Sequence, residues 1–427
     1  MHHFAYRRGV SEANVLHAED VDLCGLAAEV GTPFYCYSRA TFERHIAVFT
    51  DAFAARPDTL VCYAIKANSN LGVLATLAKQ GAGMDVVSEG ELRRALAVGV
   101  PGARVVFSGV GKTKNEMAFA LHAGIYAFNV ESEPELEALS QVADAMGKTA
   151  RIAFRVNPDV DAGTHHKIST GKAENKFGVP FDQAPALYDR ASQLPGIHPA
   201  GVHMHIGSQI IDLAPFANAF ALLKELVSAL RAKGFGIEFV NLGGGLGIPY
   251  RTDEPDPPLP KDYARLVNEA MSDLDVRLLF EPGRMIAGNA GVLVARVLYV
   301  KTAPEKLFTI VDAGMNDLIR PTLYDAYHRI QPVVEPKPGV NTVVTDVVGP
   351  VCETGDYLAL ARPLPELSPG DLIAVMTAGA YGAVQASQYN SRLLVPEVLV
   401  SGGDYCVTRP RTSYDDMLAA EELPSWL

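Results

Sequence analysis

Between residues 60 and 283 the sequence alternates short apolar runs with longer stretches of helical pattern. The short runs are rich in β-branched residues, which is typical of strands buried on both faces. Alternation of this kind predicts a parallel sheet whose strands are joined by helices. The predicted strands are 61–65, 84–88, 105–109, 127–130, 152–157, 201–206, 239–242 and 277–280.

The stretches between these strands fit helices, and we predict one after every strand except the last. The predicted helices are 70–80, 89–98, 114–122, 133–146, 181–193, 215–233 and 260–274. Eight such strands within about 220 residues fit a closed (β/α)8 barrel better than an open sheet. The alternative is a doubly wound sheet, but the sequence lacks the early GxGxxG motif that would support it.

On either side of this region the pattern differs. Residues 1 to about 35 are a polar lead with one apolar segment at 31–37, and a helix is predicted from the N-cap residue Ser38 to about residue 55. After Gly283, strand-like runs are separated by Pro/Gly turns, which predicts an all-β domain. These runs are 291–301, 307–311, 329–334, 342–348, 357–361, 371–378 and 392–400.

Charge and cysteine usage narrow the class of protein. The net charge is −12 with a pI near 5.4 and no basic block, which argues against a nucleic-acid partner. We expect no membrane span, because no apolar run reaches about 18 residues, and no signal peptide. Five scattered cysteines without a CxxC pair predict neither a zinc site nor a disulfide framework, and favour a cytoplasmic location.

Polar side chains cluster at the carboxyl ends of the predicted strands. That face of a (β/α)8 barrel carries the active site. Each residue alone could be a helix cap or a loop hydrogen bond, but together they predict a functional site. They are Lys66, Asp85, Ser88, Asn157, His203, His205, Asn241, Glu281 and Arg284.

Lys66 ends an apolar run, 60–65, in which an unpaired ammonium would be costly to bury. Three outcomes are open. The side chain could extend to water, it could pair with a carboxylate, or desolvation could make its amine a nucleophile that forms a Schiff base.

The glycines at 243–245 and the Glu281–Arg284 stretch follow strands seven and eight. Consecutive glycines let backbone N–H groups approach an anion, and barrels often bind phosphate at this place. A tight loop without a ligand is the alternative. Glu281 could pair with a protonated ring nitrogen and Arg284 with a substrate carboxylate, or the two could form an internal ion pair.

His203 and His205 alternate along strand six, which predicts that they share a face. A metal site would need carboxylates at matching spacing, which are not evident, so we predict none. We favour a satisfied core position for His203 and stacking on a flat cofactor for His205. A lysine, a phosphate loop, a carboxylate for a ring nitrogen and a stacking imidazole describe pyridoxal phosphate, which acts as an electron sink.

Several motifs resemble the fold type III, alanine-racemase-like pyridoxal phosphate decarboxylases. They are YAIKAN at 63–68, HIGSQ at 205–209, GGG at 243–245 and EPGR at 281–284. RPTLYDAYH at 320–328 and GPVCETGD at 349–356 narrow the resemblance to the diaminopimelate decarboxylases, from about residue 25 to 410. Thr354 departs from this pattern, in which serine is common.

The resemblance implies a barrel followed by a C-terminal β-sandwich or β-barrel domain. The expected domains are an N-terminal segment at 1–36 that packs with the β domain, a cofactor-binding barrel at 37–283 and the β domain at 284–427. Lys66 would form the Schiff base with pyridoxal 5′-phosphate, His205 would stack on its ring, and Cys352 would be the proton donor.

The remaining roles also rest on the resemblance. Further cofactor-binding residues would be Asp85, Ser208, Gly244, Gly245, Glu281, Pro282, Gly283, Arg284 and Tyr381. Substrate-binding residues would be Arg284, Arg320, Tyr324, Glu353 and Tyr381. A homodimer is implied, in which Cys352 and Glu353 reach the active site of the partner subunit.

The implied reaction is decarboxylation of meso-2,6-diaminopimelate to L-lysine and CO2, the last step of lysine biosynthesis. One alternative is a decarboxylase for ornithine, arginine or carboxynorspermidine, against which the CETGD run at 352–356 argues. An ornithine or arginine decarboxylase would also not need both Arg284 and Arg320. A second is a non-catalytic pyridoxal phosphate-binding protein, which the added β domain and Cys352 disfavour. A metal hydrolase using His203 and His205 is a third.

Overall fold

The computed structural model describes residues 3–8, 13–160, 170, 175–253 and 255–427. The predicted N-terminal segment and barrel also include residues 1–2, 9–12, 161–169, 171–174 and 254, which lie outside this description. The chain divides into two units. One contains Met1–Phe42, Tyr250–Glu254 and Ala287–Leu427, and the other contains Glu43–Pro249 and Pro255–Ile286. The predicted domain limits, after residues 36 and 283, lie a few residues before the divisions after Phe42 and Ile286.

The predicted polar lead contains an antiparallel three-stranded sheet and a helix. The elements of the polar lead and of the segment that follows it are β1 (Phe4–Arg8), β2 (Asn14–Ala18), β3 (Val21–Asp22), α1 (Leu23–Val30), β4 (Phe34–Ser38) and α2 (Arg39–Asp51). The predicted cap of α2 is present, since the Thr41 N–H donates to Ser38 Oγ at 3.1 Å.

The second unit alternates strands and helices as the sequence predicts. Its elements are β5 (Leu60–Ala64), α3 (Leu71–Lys79), β6 (Gly83–Val86), α4 (Glu89–Ala97), β7 (Val105–Phe107), α5 (Lys114–Ala123), β8 (Ala127–Val130), α6 (Glu133–Ala145), β9 (Ala150–Asn157), β10 (Val179–Pro180), α7 (Ala184–Ala191), β11 (Ile197–His203), α8 (Ala214–Ala232), β12 (Phe239–Asn241), α9 (Pro260–Ala270), β13 (Arg277–Phe280) and α10 (Arg284–Ala287).

Eight of these strands pair in parallel in the order β5-β6-β7-β8-β9-β11-β12-β13, and β13 pairs with β5. The closed (β/α)8 barrel is therefore confirmed, and the doubly wound alternative was wrong. The two-residue strand β10 pairs with β9.

Burial of the strands on both faces explains their continuous apolar sequence. Every residue of β5, β7 and β8 is buried. Inside the barrel, Leu60, Cys62, Val106 and Phe239 belong to one buried apolar cluster. A β-carbon at Gly201 would overlap the Phe239 ring, so glycine is required where that ring crosses the interior.

Two predicted strand ends and one missing helix need correction. The sixth strand, β11, ends at His203, so the strand alternation that was to align His203 with His205 does not extend to His205. The second strand, β6, ends before Ser88, because Ser88 Oγ accepts the Glu91 N–H at 3.2 Å and caps α4. The last barrel strand is followed by the short helix α10, which we had not predicted.

The rest of the chain is mostly sheet. Its elements are β14 (Gly291–Thr302), β15 (Leu307–Val311), α11 (Arg320–Tyr324), β16 (Ile330–Pro332), β17 (Thr342–Val348), β18 (Tyr357–Pro365), β19 (Leu372–Val375), β20 (Glu397–Ser401), β21 (Asp404–Arg409) and α12 (Tyr414–Ala419). The order is β18-β17-β15-β14-β4-β20-β21, with β19 pairing with β14 and β16. The N-terminal strand β4 lies between β14 and β20, so its predicted membership of the β domain is confirmed.

Among the described residues, no helix has the length and apolar character needed to cross a membrane.

Candidate active site

Lys66 lies in a short 3-10 turn, Ile65–Ala67, directly after β5. Its Nζ donates to Asp85 Oδ2 at 2.8 Å. The Asp85 side chain is fully buried, whereas the Lys66 side chain keeps 37% of its exposure. Burial and the nearby Glu281 raise the pKa of Asp85, while Lys66 opposes the rise. Of the three outcomes considered for Lys66, the structure shows a carboxylate partner and a side chain that is partly exposed.

Glu281 follows β13 and is buried, yet its surroundings favour the charged form. Its Oε1 accepts hydrogen bonds from the side-chain amides of Asn241 at 2.6 Å and Asn129 at 3.0 Å. The Nε2 of His203 lies 3.2 Å from Oε2. Burial raises the pKa of Glu281, but His203, Lys66 and the Asn241 hydrogen bond outweigh it and hold the pKa well below its usual range.

A buried hydrogen-bonded chain joins the two carboxylates. Ser108 Oγ donates to Asp85 Oδ1 at 2.8 Å, and Asn129 Nδ2 donates to Ser108 Oγ at 2.9 Å as well as to Glu281. Sequence reasoning missed Ser108 and Asn129. The available signal was a polar residue at the end of each of two buried strands, β7 and β8.

The two histidines of strand six have different surroundings. His205 lies two residues beyond β11, and its Nδ1 accepts the Gly244 N–H at 3.1 Å. Burial, Arg155 and Lys66 lower the pKa of His205 well below its usual value, so the ring is neutral. His203 is fully buried, but neither of its ring nitrogens makes an aligned hydrogen bond to a described residue. Its Nε2 nevertheless has the Glu281 carboxylate as an ion-pair partner, so the core position that we favoured for His203 stays a prediction.

The glycine loop packs tightly on the end of β13. A β-carbon at Gly244 would overlap the Glu281 carbonyl oxygen, and one at Gly243 would lie 2.5 Å from the Met204 carbonyl oxygen. Gly243 and Gly245 also have positive φ angles, of 64° and 116°, which favour glycine. The Gly244 N–H, one of the amides expected at a phosphate, donates to His205 in this structure.

The residues after Glu281 continue along the same edge of the barrel. The Pro282 carbonyl accepts the Ala64 N–H at 3.1 Å, and Gly283 is buried beside it. Arg284 is only 6% exposed and donates to Ser208 Oγ from Nε at 3.3 Å and from Nη2 at 3.1 Å.

Two other predicted polar residues act as local caps. Ser88 caps α4, as described above. Asn157 ends β9, where its Oδ1 accepts the Asp159 N–H at 3.0 Å and its Nδ2 donates to the Phe177 carbonyl at 3.4 Å. Neither observation points to a ligand.

The unit that contains the β domain holds the remaining predicted residues. Arg320 begins α11 and is 5% exposed. Its Nε donates to His328 Nε2 at 3.2 Å and its Nη2 donates to the Tyr250 hydroxyl at 3.3 Å. Tyr324 ends α11, and its hydroxyl accepts a hydrogen bond from Gln385 at 3.3 Å.

The 349–356 loop presents Cys352 and Glu353, both exposed in the single chain. Asp356 organises the loop, since its carboxylate accepts the Met315 and Val351 N–H groups at 2.6 Å each. The Cys352 N–H donates to Asn390 Oδ1 at 2.9 Å. Sequence reasoning assigned no role to Asp356 or Asn390; the Met315–Asp356 and Cys352–Asn390 contacts join segments about 40 residues apart in the chain.

Tyr381 is half-buried and has a φ of 56°. A left-handed backbone at a bulky residue is uncommon and is concentrated at functional sites. The next residue is tightly packed, since a β-carbon at Gly382 would lie 2.8 Å from the Tyr35 hydroxyl.

The barrel thus brings together Lys66, Asp85, His205, Gly244 and Glu281 at the ends of its strands. The other predicted group, with Arg320, Tyr324, Cys352, Glu353 and Tyr381, belongs to the unit of the β domain. Within the described residues, no three His, Cys, Asp or Glu side chains are grouped to hold a metal ion.

Comparison with known proteins identifies the family. The pyridoxal-binding domain of the pyridoxal-dependent decarboxylases matches residues 39–288. Diaminopimelate decarboxylase of Pseudomonas aeruginosa is 51% identical over 408 residues, covering 96% of this chain and 97% of that protein. The same enzyme of Zymomonas mobilis is 47% identical over 414 residues, covering 96% and 98%.

The fold agrees with these matches. The crystal structure of Helicobacter pylori diaminopimelate decarboxylase complexed with L-lysine is similar, with a TM-score of 0.89 and 41% identity, covering 93% of this chain and 99% of that one. This chain therefore belongs to the pyridoxal-dependent decarboxylases and, within them, to the diaminopimelate decarboxylases.

Proposed function

We propose that this protein decarboxylates meso-2,6-diaminopimelate to L-lysine and carbon dioxide, with pyridoxal 5′-phosphate as its cofactor. The observation that carries the proposal is the buried Glu281 carboxylate, which accepts two side-chain amide hydrogen bonds at the same strand ends as the partly exposed Lys66 side chain. Similarity to diaminopimelate decarboxylases over nearly the whole chain supports the choice of substrate.

The donor set at the barrel mouth fits this cofactor. A carboxylate held charged by His203, Lys66 and the Asn241 amide suits a protonated ring nitrogen, and a neutral imidazole suits a position against a flat ring. The glycine loop would offer backbone N–H groups to the phosphate, as consecutive glycines allow. The overlaps that a β-carbon would make at Gly243 and Gly244 are with this chain's own backbone and explain why glycine occupies these positions. Ser208, Gly244, Gly245, Pro282, Gly283 and Arg284 would surround the phosphate and ring.

The chemistry would be divided among this chain's residues. When bound, the cofactor withdraws electrons from the bond to the departing carboxylate. Lys66 would hold the cofactor covalently, and Asp85 would orient the Lys66 amine through the 2.8 Å ion pair. Glu281 would keep a proton on the ring nitrogen, since its lowered pKa makes it a charged acceptor at neutral pH.

The β-domain residues would supply selectivity and a proton. Arg320 and Tyr324, together with Arg284, would bind the carboxylate at the unreactive end of the substrate, and Glu353 would bind the ammonium there. Cys352 would return a proton to the carbon that loses CO2, and Tyr381 would contact cofactor and substrate. Exposure of Cys352 and Glu353 in the single chain supports a homodimer in which they complete the partner's site.

The physiological setting follows from the reaction. L-Lysine as product makes this the last step of lysine biosynthesis. Scattered cysteines without a disulfide framework support a cytoplasmic location.

Turnover of a panel of amino acids tests the proposal. The holoprotein should release CO2 from meso-diaminopimelate with an equal amount of L-lysine, and should be far slower with ornithine, arginine or carboxynorspermidine. The Lys66→Ala variant should lose this activity. Faster turnover of any other panel member would make that amino acid the substrate in place of meso-diaminopimelate. Absence of turnover with every member would favour the non-catalytic alternative.

Mixing two inactive variants tests the shared site. Lys66→Ala and Cys352→Ala chains, mixed and allowed to exchange subunits, should recover about a quarter of wild-type activity, because half of the dimers then contain one intact site. A mixture as inactive as its parents, with exchange verified by mass, would contradict the sharing of Cys352.

A further inference from the structure

Arg320 is held by a histidine that the functional motifs had left without a role. The guanidinium of this buried residue donates from Nε to His328 Nε2 at 3.2 Å. Its Nη2 donates to the Tyr250 hydroxyl at 3.3 Å, and its central carbon lies 5.5 Å from the Tyr250 ring centre and 5.9 Å from that of Tyr324. Two hydrogen bonds at different nitrogens fix the plane of the guanidinium.

His328 is itself fixed in position and tautomer. The residue is fully buried, and its Nδ1 donates to the Met376 carbonyl oxygen at 2.9 Å. The ring lies edge-on to Tyr250, at 5.5 Å and 88°. Since Nδ1 carries the proton and Nε2 accepts from Arg320, the imidazole in this arrangement is neutral.

The charge of the acceptor matters for a residue that must attract an anion. A carboxylate at the position of His328 would also orient Arg320, but it would neutralise the guanidinium and weaken its attraction for a second carboxylate. A neutral imidazole orients the guanidinium and leaves its charge in place. Orientation matters as well, because a guanidinium binds a carboxylate through two parallel N–H groups.

We propose that His328 is a positioning residue that aims the Arg320 guanidinium without neutralising it, and thereby sets the selectivity for substrates with a distal carboxylate. This inference rests on the proposed role of Arg320. Tyr250 contributes the second fixed point, from a short segment that belongs to the same unit as Arg320 and His328.

Three substitutions separate the parts of the proposal. His328→Gln offers a neutral acceptor, His328→Leu fills space without accepting, and His328→Glu accepts but carries a charge. We expect the KM for meso-diaminopimelate to stay within about threefold for the Gln variant. The KM should rise at least about tenfold for the Leu variant, the factor expected when one hydrogen bond to a charged group is lost. It should rise about 30-fold or more for the Glu variant. In each case kcat should change much less than KM.

Inhibition constants provide a readout that a general loss of structure would not reproduce. L-Lysine keeps one carboxylate, whereas 1,5-diaminopentane has none. The inhibition constant of L-lysine should rise in step with KM, and that of 1,5-diaminopentane should not. Equal effects on both inhibitors, or equal KM values in all three variants, would overturn the proposal.

The Gln and Leu pair decides the question even if the Glu variant does not fold, because the proposal requires Gln to bind substrate more tightly than Leu at matched thermal stability. The Arg320→Ala variant separates the proposed role of Arg320 from the proposed role of His328. An unchanged KM in that variant would refute the proposed role of Arg320 itself. A large effect there, with none for His328→Leu, would refute only the role of His328.

Discussion

Replacing Gly244 by alanine tests how closely the glycine loop must fit the end of β13. The new β-carbon would overlap the Glu281 carbonyl oxygen and lie 3.1 Å from its carbonyl carbon, with Pro282 Cα at 3.7 Å. These are backbone atoms, so no side-chain rotation relieves the overlap. To restore ordinary contact, the Glu281 backbone would have to retreat by about 1 Å.

Two consequences follow from that displacement. Overpacking of a tight site typically destabilises a protein by about 1–3 kcal/mol, which lowers the melting temperature of a unit of this size by about 2–4 °C per kcal/mol. A shift of about 1 Å in a catalytic group can cost about 100-fold in rate. Glu281, the proposed partner of the ring nitrogen, is the residue that moves, so kcat/KM should fall about 100-fold and cofactor affinity should fall with it.

Gly90 offers a matched control. It lies in helix α4, and the nearest atom to a β-carbon there is the Ser88 side-chain oxygen at 3.7 Å. Gly90→Ala should therefore raise stability by about 0.5–1 kcal/mol through helix propensity, with activity unchanged. Thermal melts, titration of the cofactor-free protein with pyridoxal phosphate and turnover would be compared. A Gly244→Ala protein as stable and active as wild type would refute the close-fit argument.

Three substitutions and one control test other parts of the account. Arg320→Ala should raise the KM for meso-diaminopimelate by about 30-fold or more, because it would remove the proposed partner of the distal substrate carboxylate. Steady-state kinetics would show this, and an unchanged KM would remove Arg320 from the proposed substrate site. Burial raises the pKa of Glu91 to about 7, against the opposing effects of the Val87 N–H and Lys66. The pKa of Glu91 in the folded state thus exceeds its pKa in the unfolded state, so the free energy of unfolding should fall as pH rises from about 4.5 to 7, by about 3 kcal/mol at most. Thermal melts across that range should show a flatter pH dependence for Glu91→Gln. An unaltered dependence would show that Glu91 is not its source. Asp356→Asn should leave one of its two backbone donors unpaired, costing about 1–3 kcal/mol and lowering kcat through the Cys352 loop, whereas the exposed Thr354→Ser should change neither.

The barrel was predictable because its strands are buried on both faces and alternate regularly with helices. Elements that form only through contacts with distant parts of the chain were not predictable. Strands β1 and β2 occur in a polar stretch and are stabilised by pairing with each other, from Phe4–Ala18 to Arg8–Asn14. Strand β21 is mostly exposed, so it lacks an apolar pattern, although it pairs with β20. The predicted strand 392–400 begins only at Glu397, since a turn and Pro396 precede it.

Some residues of the candidate site could likewise be placed from the sequence and others could not. Residues at strand ends, such as Lys66 and Glu281, could be placed from sequence because the barrel fixes where strand ends meet. Residues that act through other side chains could not. Asn129 reaches Glu281 across 152 positions of sequence, and His328 contacts Arg320 through a bend that the local pattern does not encode.

Borohydride reduction of the holoprotein, followed by mass spectrometry of its peptides, tests the central claim most directly. The account predicts that reduction fixes one pyridoxyl group per chain on the peptide containing Lys66, and that Lys66→Ala carries none at that site. A pyridoxyl group on a different lysine, or none on a protein that had bound pyridoxal phosphate, would contradict the assignment of the barrel mouth as the active site.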